Sequence, residues 1–277
     1  MRPAVVNMSV LPQSFLRFFG QQLDVPGTTW NMVYHVDNNV TLKTFDLELF
    51  AQTAPFAFID ETKTNRLIET LNEADVVLLL TDPLQNEEKL QQVLSQLKQP
   101  VFIMPVSMLY PTIHSSESIG YDTALNEIVN QALCVADTAD SMKYGKPRLF
   151  FLQLPKGASR HLTEDVALST GGLELKDVDE NTRYAFQQRL IQHYQSGQTY
   201  ALAAIDETLD STKISEQLSK TMDININIVT VDGAQCLGPK FTAKDRLLMV
   251  RAAQKANEWV HSAASSPNQV EWFHVTA

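Results

Sequence analysis

The sequence predicts an α/β protein with sheets covered by helices, in one large or two ordinary domains, and three observations support this. Apolar runs of strand length alternate along the chain with segments whose apolar residues recur at helical spacing. This alternation is typical of mostly parallel sheets covered by helices on both faces. The length of 277 residues and the hydrophobic content of 44% suit one large domain or two ordinary domains, each able to bury a core.

The first segment predicts the order strand, turn, helix. A β-branched run extends from Ala4 to Val10 and ends at Leu11-Pro12, and residues 13–23 place their phenylalanines on one helical face. Further strands are expected at 31–36 and 40–45, and their order in the sheet stays open.

A clearer alternation follows from Thr62. A helix is expected first, and Asp75–Leu80 then reads as a buried parallel strand because it is continuously β-branched or leucine. A helix over Glu87–Lys98 leads to a strand at Val101–Met104.

The central stretch, residues 118–153, carries a helix, its connection and a strand. Gly120 and Asp122 open the helix, Gly145 to Pro147 punctuate the chain, and Leu149–Leu152 is an apolar run of strand length.

The remaining chain repeats the pattern. We expect a helix over Arg183–Gln195, a strand at Tyr200–Ile205, one more helix and strand before Val231, a long helix ending near Trp259, and an edge strand at Val270–Val275.

Composition excludes several classes of protein. The net charge of −10 opposes non-specific binding to nucleic acid or anionic lipid. Cys134 and Cys236 have no metal-ligand spacing, and Cys134 is expected to be buried on the apolar side of the central helix. The N-terminus has no secretory pattern and no apolar run is long enough to span a bilayer, so we expect a cytoplasmic protein.

Several ordered landmarks resemble the bacterial phosphofructokinase family. The run Ile119–Leu125, IGYDTAL, is similar to the family's helix start "IGFxTAL", and Asp137-Thr138 followed by Arg148 is similar to its "DT…SH.R" segment. Gly171-Gly172 and Asp245-Arg246 match its "GG" turn and the "DR" that opens its last helix. The similarity covers roughly residues 65 to 260.

The resemblance implies two Rossmann-like α/β/α lobes. It assigns residues 1–117 plus 237–262 to a nucleotide-type lobe, and residues 118–236 plus 263–277 to a sugar-phosphate-type lobe. A ligand is then expected at the carboxyl ends of the strands.

The positions that carry chemistry in the family are replaced here. The first glycine-rich phosphate loop corresponds to residues 9–14, which contain no glycine. The aspartate that holds magnesium corresponds to Pro83, the aspartate that acts as the base to Leu109, the second aspartate of that loop to Pro111, and a sugar-phosphate arginine to Leu237. We therefore predict no catalytic residue, no metal site and no cofactor.

Three positions retain residues that the resemblance associates with the sugar phosphate. Ser107 keeps a hydroxyl, Arg148 matches a residue that reaches into a neighbouring subunit's site, and Glu180 falls on a glutamate that contacts sugar hydroxyls. Two plainer interpretations stay open: Arg148 as a strand-entry charge facing water, and Glu180 as part of a solvated acidic run.

The prediction for function is a phosphofructokinase-like pseudoenzyme of carbohydrate metabolism. It would act as a regulatory or structural subunit or as a sugar-phosphate sensor, in a homo-oligomer or with an active phosphofructokinase. The alternative is an active 6-phosphofructokinase with rebuilt loops, which would need ATP and magnesium. Its base would be His114, Glu117 or Asp122, and Asp82 would hold the metal.

Overall fold

The structure is a computed structural model. It describes residues 1–23, 27–37, 39–53, 56, 60–82, 84, 87–113, 116–141, 145–206, 208–237, 240–263 and 269–274. The chain divides into two compact units. The first comprises Met1–Ser107, Thr112–Tyr121 and Phe241–Ala277, and the second comprises Met108–Pro111 and Asp122–Lys240.

The described strands, in chain order, are β1 (Pro3–Met8), β2 (Asn31–Val36), β3 (Asn39–Thr44), β4 (Val76–Thr81), β5 (Val101–Pro105), β6 (Thr112–Ile113), β7 (Ser116–Glu117), β8 (Arg148–Gln153), β9 (Leu173–Leu175), β10 (Tyr200–Ile205), β11 (Asn225–Thr230) and β12 (Val270–Trp272). The described α-helices are α1 (Gln13–Leu23), α2 (Leu47–Gln52), α3 (Glu61–Leu71), α4 (Glu87–Gln96), α5 (Tyr121–Ser141), α6 (Arg160–Thr170), α7 (Glu180–Gln195), α8 (Ser211–Thr221) and α9 (Ala243–Ala263).

The first unit is a sheet between two helical layers. Its strand order is β12-β5-β4-β1-β2-β3, and every neighbouring pair is parallel except β2 with β3. β1, β4 and β5 are buried along their whole length, and their residues are apolar on both faces except for Asn7 and Thr81. One face packs against α1 and α9, and the other packs against α3 and α4.

The second unit has a fully parallel sheet in the order β11-β8-β10-β9. One face of β8 and β10 packs against apolar side chains of α7 and α8, such as Phe186 and Ile214. α6 lies against β9 and β10. The mixed α/β fold with parallel sheets is therefore confirmed.

The C-terminal strand corrects the predicted lobes. Residues 263–277 were assigned to the second lobe, but β12 pairs in parallel with β5, so that Val270 lies beside Val101 in the first sheet. Phe273 then packs against Phe102 in the core of the first unit, with ring centroids 6.4 Å apart. Burial of this aromatic side chain explains why the last strand joins the first sheet.

Some elements differ from those expected. The last long helix begins at Ala243, after a short 3-10 helix at Gln235–Leu237. α7 begins at Glu180 rather than Arg183, because the Asp179 side chain caps its N-terminus. Within the described part of the chain, no helix is long and apolar enough to cross a membrane.

Candidate functional site

The position that the resemblance gives to the catalytic base is a packed apolar residue. Leu109 is 5% exposed and belongs to the second unit, where its carbonyl accepts the Ser159 backbone N–H at 3.1 Å. Its Cδ1 lies 3.8 Å from where a Cβ on Gly157 would be. Leu109 thus packs against the loop that follows β8.

That loop forms a compact turn at the carboxyl edge of the second sheet. Leu154 is buried and donates its N–H to the Ile205 carbonyl at 3.0 Å, and Ala158 donates to the Pro155 carbonyl at 3.0 Å. Gly157 has a φ of 80°, a left-handed conformation that favours glycine. Lys156, the nearby cation of this loop, is exposed.

Ser159 continues the turn by capping α6. Its Oγ accepts the Leu162 N–H at 3.1 Å, so the N-terminus of this helix already has a side-chain partner. Arg160, the next residue, is exposed. The turn, the cap and Leu109 are therefore held together by their own packing and hydrogen bonds.

Arg148 lies at the opposite, amino edge of the same sheet and is buried, with 6% exposure. Its Nη2 donates to the Ala139 carbonyl near the C-terminal end of α5, and its guanidinium carbon lies 5.7 Å from the centre of the Phe150 ring. A cation is favourable at a helix C-terminus. The interpretation of Arg148 as a charge facing water is therefore wrong.

A polar network surrounds Arg148 at this edge. The Tyr194 hydroxyl donates to the Arg148 carbonyl at 3.0 Å, and burial raises the pKa of this phenol. Nε2 of His193 lies 2.8 Å from the Tyr200 carbonyl. The pKa of Tyr200 is also raised, first by burial and then by the neighbouring Asp140 carboxylate.

Glu180 is not near Arg148. It is exposed and begins α7, which follows the short strand β9 at the carboxyl side of the sheet. Arg148 is the first residue of β8, and six strand residues span roughly 20 Å. The structure places these two predicted sugar-phosphate residues at opposite edges of one sheet.

Ser107 belongs to the first unit and is also buried, at 3% exposure. Its backbone N–H donates to the Ile119 carbonyl at 3.0 Å, next to the bridge between Val106 and Ile119. The three retained positions, Ser107, Arg148 and Glu180, are therefore two buried residues and one exposed residue on separate parts of the fold.

The ends of β1 and β4 carry small polar side chains that bond locally. The Asn7 Oδ1 accepts both the backbone N–H of Ser9, at 3.0 Å, and its hydroxyl, at 2.6 Å. Asp82 is 3% exposed and accepts the Leu84 N–H at 3.2 Å. The Pro12 carbonyl accepts the backbone N–H groups of Phe15 and Leu16 in the first turn of α1.

The turn after β1 does not fit a bound nucleotide phosphate. No described residue from Ser9 to Gln13 has positive φ, and this segment contains neither glycine nor a cation. Phosphate loops need backbone N–H groups presented by such conformations. Among the described residues there is also no group of three or more His, Cys, Asp or Glu that could hold a metal ion.

Two landmarks of the resemblance, far apart in sequence, meet in the first unit. The Asp245 side chain is fully buried and accepts the Gly120 N–H at 2.8 Å. Gly120 has a φ of 105°, so only glycine suits this position. Beside this contact, Lys244 and Glu117 form an ion pair at 3.2 Å. The sequence contained both landmarks but gave no signal that they touch.

The other predicted positions have mixed outcomes. Pro83 and His114 lie outside the described residues. Pro111 is partly exposed, and Leu237 ends the short 3-10 helix. The prediction that Cys134 is buried is wrong, because this thiol is exposed on α5.

Cys236 is the buried cysteine. Burial, with smaller contributions from Asp232 and Glu127, raises the pKa of its thiol to about 12. Its Sγ lies 3.5 Å from the Asp232 carbonyl. A thiol with a raised pKa is a poor nucleophile at neutral pH.

No family model matches the chain, and neither does any curated protein. Solved structures do match in fold. The phosphofructokinase of Saccharomyces cerevisiae superposes with a TM-score of 0.74 at 15% identity, covering 96% of this chain and 40% of that one. The Pichia pastoris phosphofructokinase in the T-state gives 0.72 at 14% identity, covering 95% and 31%.

A bacterial structure is also similar. The pyrophosphate-dependent phosphofructokinase of Marinobacter aquaeolei gives a TM-score of 0.67 at 14% identity, covering 95% of this chain and 76% of that one. The chain thus spans less than half the length of the two yeast proteins. At these identities the similarity shows a phosphofructokinase-like fold.

Proposed function

We propose that this chain is a non-catalytic phosphofructokinase-like protein that acts as a regulatory or structural subunit of an oligomer. Two lines of support combine. The fold is similar to phosphofructokinases, and the residues at the positions where the resemblance places chemistry are mostly apolar.

Leu109 carries the proposal. A phosphoryl acceptor hydroxyl needs a carboxylate within hydrogen-bond reach to take its proton, and loss of a general base lowers the rate by about 10²–10⁴. At this position the chain has a buried leucine packed beside Gly157 and bonded through its carbonyl to Ser159. The side chain contributes to packing and has no group that could accept a proton.

Other positions that the resemblance associates with binding also support a non-catalytic protein. The turn after β1 offers neither glycine nor a cation to a phosphate. Arg148 is directed at the Ala139 carbonyl of its own unit, and Glu180 lies at the other edge of the sheet. We therefore favour a subunit role over that of a sugar-phosphate sensor.

The first test is a coupled assay of fructose 6-phosphate phosphorylation, with ATP or pyrophosphate and magnesium. A bacterial phosphofructokinase serves as the positive control. We expect a rate at least about 10⁴-fold below that control, since both the base and the phosphate loop are replaced.

Asp82→Asn is the matched variant, because Asp82 is the carboxylate that an active enzyme with rebuilt loops would use for the metal. Turnover that is abolished by Asp82→Asn would overturn the proposal. Turnover that persists unchanged in this variant would come from a contaminating enzyme. Calorimetric titration with fructose 6-phosphate tests the alternative role as a sugar-phosphate sensor. A sensor should give saturable heat on binding this sugar phosphate.

The subunit role is tested by mixing the protein with an active phosphofructokinase from the same organism. Co-migration in size-exclusion chromatography, or a changed activity of the partner at saturating amounts of this chain, is expected. Independent migration with unchanged activity would rule out a subunit of that enzyme.

A further inference from the structure

The exposed face of α9 is basic, although the chain as a whole is acidic. The chain contains 32 acidic and 22 basic side chains, for a net charge of −10. On α9 the balance is reversed. Its exposed Asp, Glu, Lys and Arg side chains are one carboxylate, Glu258, and four cations, Lys244, Arg246, Arg251 and Lys255. Asp245, the other acid of this helix, is buried and accepts the Gly120 N–H.

Three of these cations form a stripe with an apolar residue between them. An α-helix turns by about 100° per residue and rises about 1.5 Å, so residues 244, 247, 251 and 255 fall within an arc of about 80° along about 16 Å. Leu247 lies between the cations and is 57% exposed. We define the α9 stripe as Lys244, Leu247, Arg251 and Lys255.

Two cations of the stripe have no partner among the described residues. Lys244 is paired with Glu117 at 3.2 Å, whereas the side chains of Arg251 and Lys255 form neither an ion pair nor a hydrogen bond within the described part of the chain. Arg251 and Lys255 are four residues apart, and like charges at this spacing destabilise a helix. The free chain therefore keeps a repulsive pair on its surface.

The neighbouring helices do not neutralise this pair. α1 packs beside α9 and contains no acid, and its Arg17 is paired with Glu48 of α2 at 2.6 Å. Arg246 points away from the stripe, with its guanidinium carbon 5.0 Å from the centre of the Phe18 ring. Carboxylates brought by another molecule would relieve the repulsion between Arg251 and Lys255.

We infer that the α9 stripe binds an acidic helical segment of a partner protein. Carboxylates of the partner pair with Arg251 and Lys255, and an apolar side chain of the partner covers Leu247. Protein interfaces commonly combine a buried apolar centre with a polar rim. The length of the stripe matches a partner helix of about ten to fourteen residues.

The charge distribution favours a protein over a larger polyanion. Nucleic acid and anionic membranes extend over much of a protein surface, and the net charge of −10 repels them. A single helix meets only the stripe, because charges farther than about 8 Å are largely screened at physiological salt. This inference uses only α9 and its neighbours, so it is independent of the proposed function.

Fluorescence anisotropy of a labelled acidic peptide tests the inference with the purified full chain. The probe is a helical peptide of about 14 residues, in which glutamates and one leucine are spaced on one face to oppose the stripe. We expect saturable binding at low salt, with a Kd below about 200 µM. Raising the salt to about 0.3 M should weaken binding at least about fivefold, because exposed ion pairs are screened.

Arg251→Glu combined with Lys255→Glu should weaken binding at least about tenfold, because attraction becomes repulsion. Arg251→Gln combined with Lys255→Gln should also weaken it, and this pair keeps the test decisive if the glutamates disturb folding. The matched control is Arg160→Glu combined with Lys220→Glu, which makes the same change in net charge on exposed residues of the second unit. It should bind the peptide within about twofold of the wild type.

Several outcomes would overturn the inference. They are a wild type that shows no saturable binding, and an equal loss of binding in the control. Binding of duplex DNA or phosphatidylserine vesicles that is lost in Arg251→Glu with Lys255→Glu would show that the stripe serves a polyanion instead. A wild-type dimer in sedimentation velocity that the same variant dissociates would show that a second copy of the chain covers the stripe.

Discussion

In the second sheet, the edge formed by the amino ends of the strands differs in polarity from the edge formed by their carboxyl ends. At the amino edge, buried Arg148 donates to the Ala139 carbonyl, and the Tyr194 hydroxyl donates to the Arg148 carbonyl. Nε2 of His193 lies beside the Tyr200 carbonyl. The carboxyl edge, where parallel sheets usually bind ligands, has buried Leu154 and Leu109 packed around the Gly157 turn.

This difference shows how a fold can be kept while its site changes. The polar network at the amino edge ties the ends of α5 and α7 to β8, so its role is to hold the unit together. At the carboxyl edge, Leu109 and Leu154 contribute to the core. The charged residues of this side, Lys156, Arg160 and Glu180, are exposed. Three substitutions test this assignment, and we give them in order of decreasing effect.

Leu109→Asp restores the residue type that the resemblance gives to the base. We expect it to lower the free energy of unfolding by at least about 3 kcal/mol, since it removes a buried leucine and buries a carboxylate. No phosphorylation of fructose 6-phosphate should appear. Urea unfolding and the coupled assay measure the two effects.

Leu109→Met is the control at this position, because it keeps volume and apolar character and should cost less than about 1.5 kcal/mol. If Leu109→Asp were as stable as Leu109→Met, the carboxyl edge would be hydrated and open. It would then resemble an ordinary ligand site.

Arg148→Ala tests the amino edge. We expect a loss of about 3 kcal/mol, because the Ala139 carbonyl loses a charged donor and the buried stem leaves a cavity. Arg160→Ala, an exposed arginine of the same unit, should change stability by less than about 0.5 kcal/mol. Thermal unfolding compares the two. Equal stability of both variants would mean that Arg148 is available to a neighbouring subunit.

Much of the scaffold could be predicted from the sequence. The bounds predicted for β10 and for α1 agree with the structure, because a fully buried parallel strand is apolar throughout and an amphipathic helix repeats its apolar face. The sheet to which β12 belongs was not predictable in this way. An edge strand of three residues carries no signal that identifies β5, far away in sequence, as its partner.

The candidate site was harder to predict, for two different reasons. Arg148 was correctly placed at the start of β8, but strand position does not reveal that a carbonyl of α5 receives the guanidinium. For Cys134 a signal existed. The buried residues Ala124, Ile128 and Ala132 are spaced by four, and Cys134 lies off that stripe.

Tyr194→Phe gives the smallest effect and depends on pH. At pH 7 the lost hydrogen bond to the Arg148 carbonyl should cost about 1 kcal/mol. Burial raises the phenol pKa, so the stabilisation is fully present below the ordinary value of about 10 and is lost as pH rises toward the folded-state pKa. The stability difference between wild type and variant should therefore shrink above about pH 10.

Urea midpoints at neutral and alkaline pH measure this difference, with Tyr184→Phe, which alters an exposed tyrosine of the same helix, as control. A difference that stays constant with pH would show that Tyr194 ionises as freely in the folded state as in the unfolded chain. The amino edge would then be hydrated, and the contrast with the carboxyl edge would lie in side-chain polarity alone.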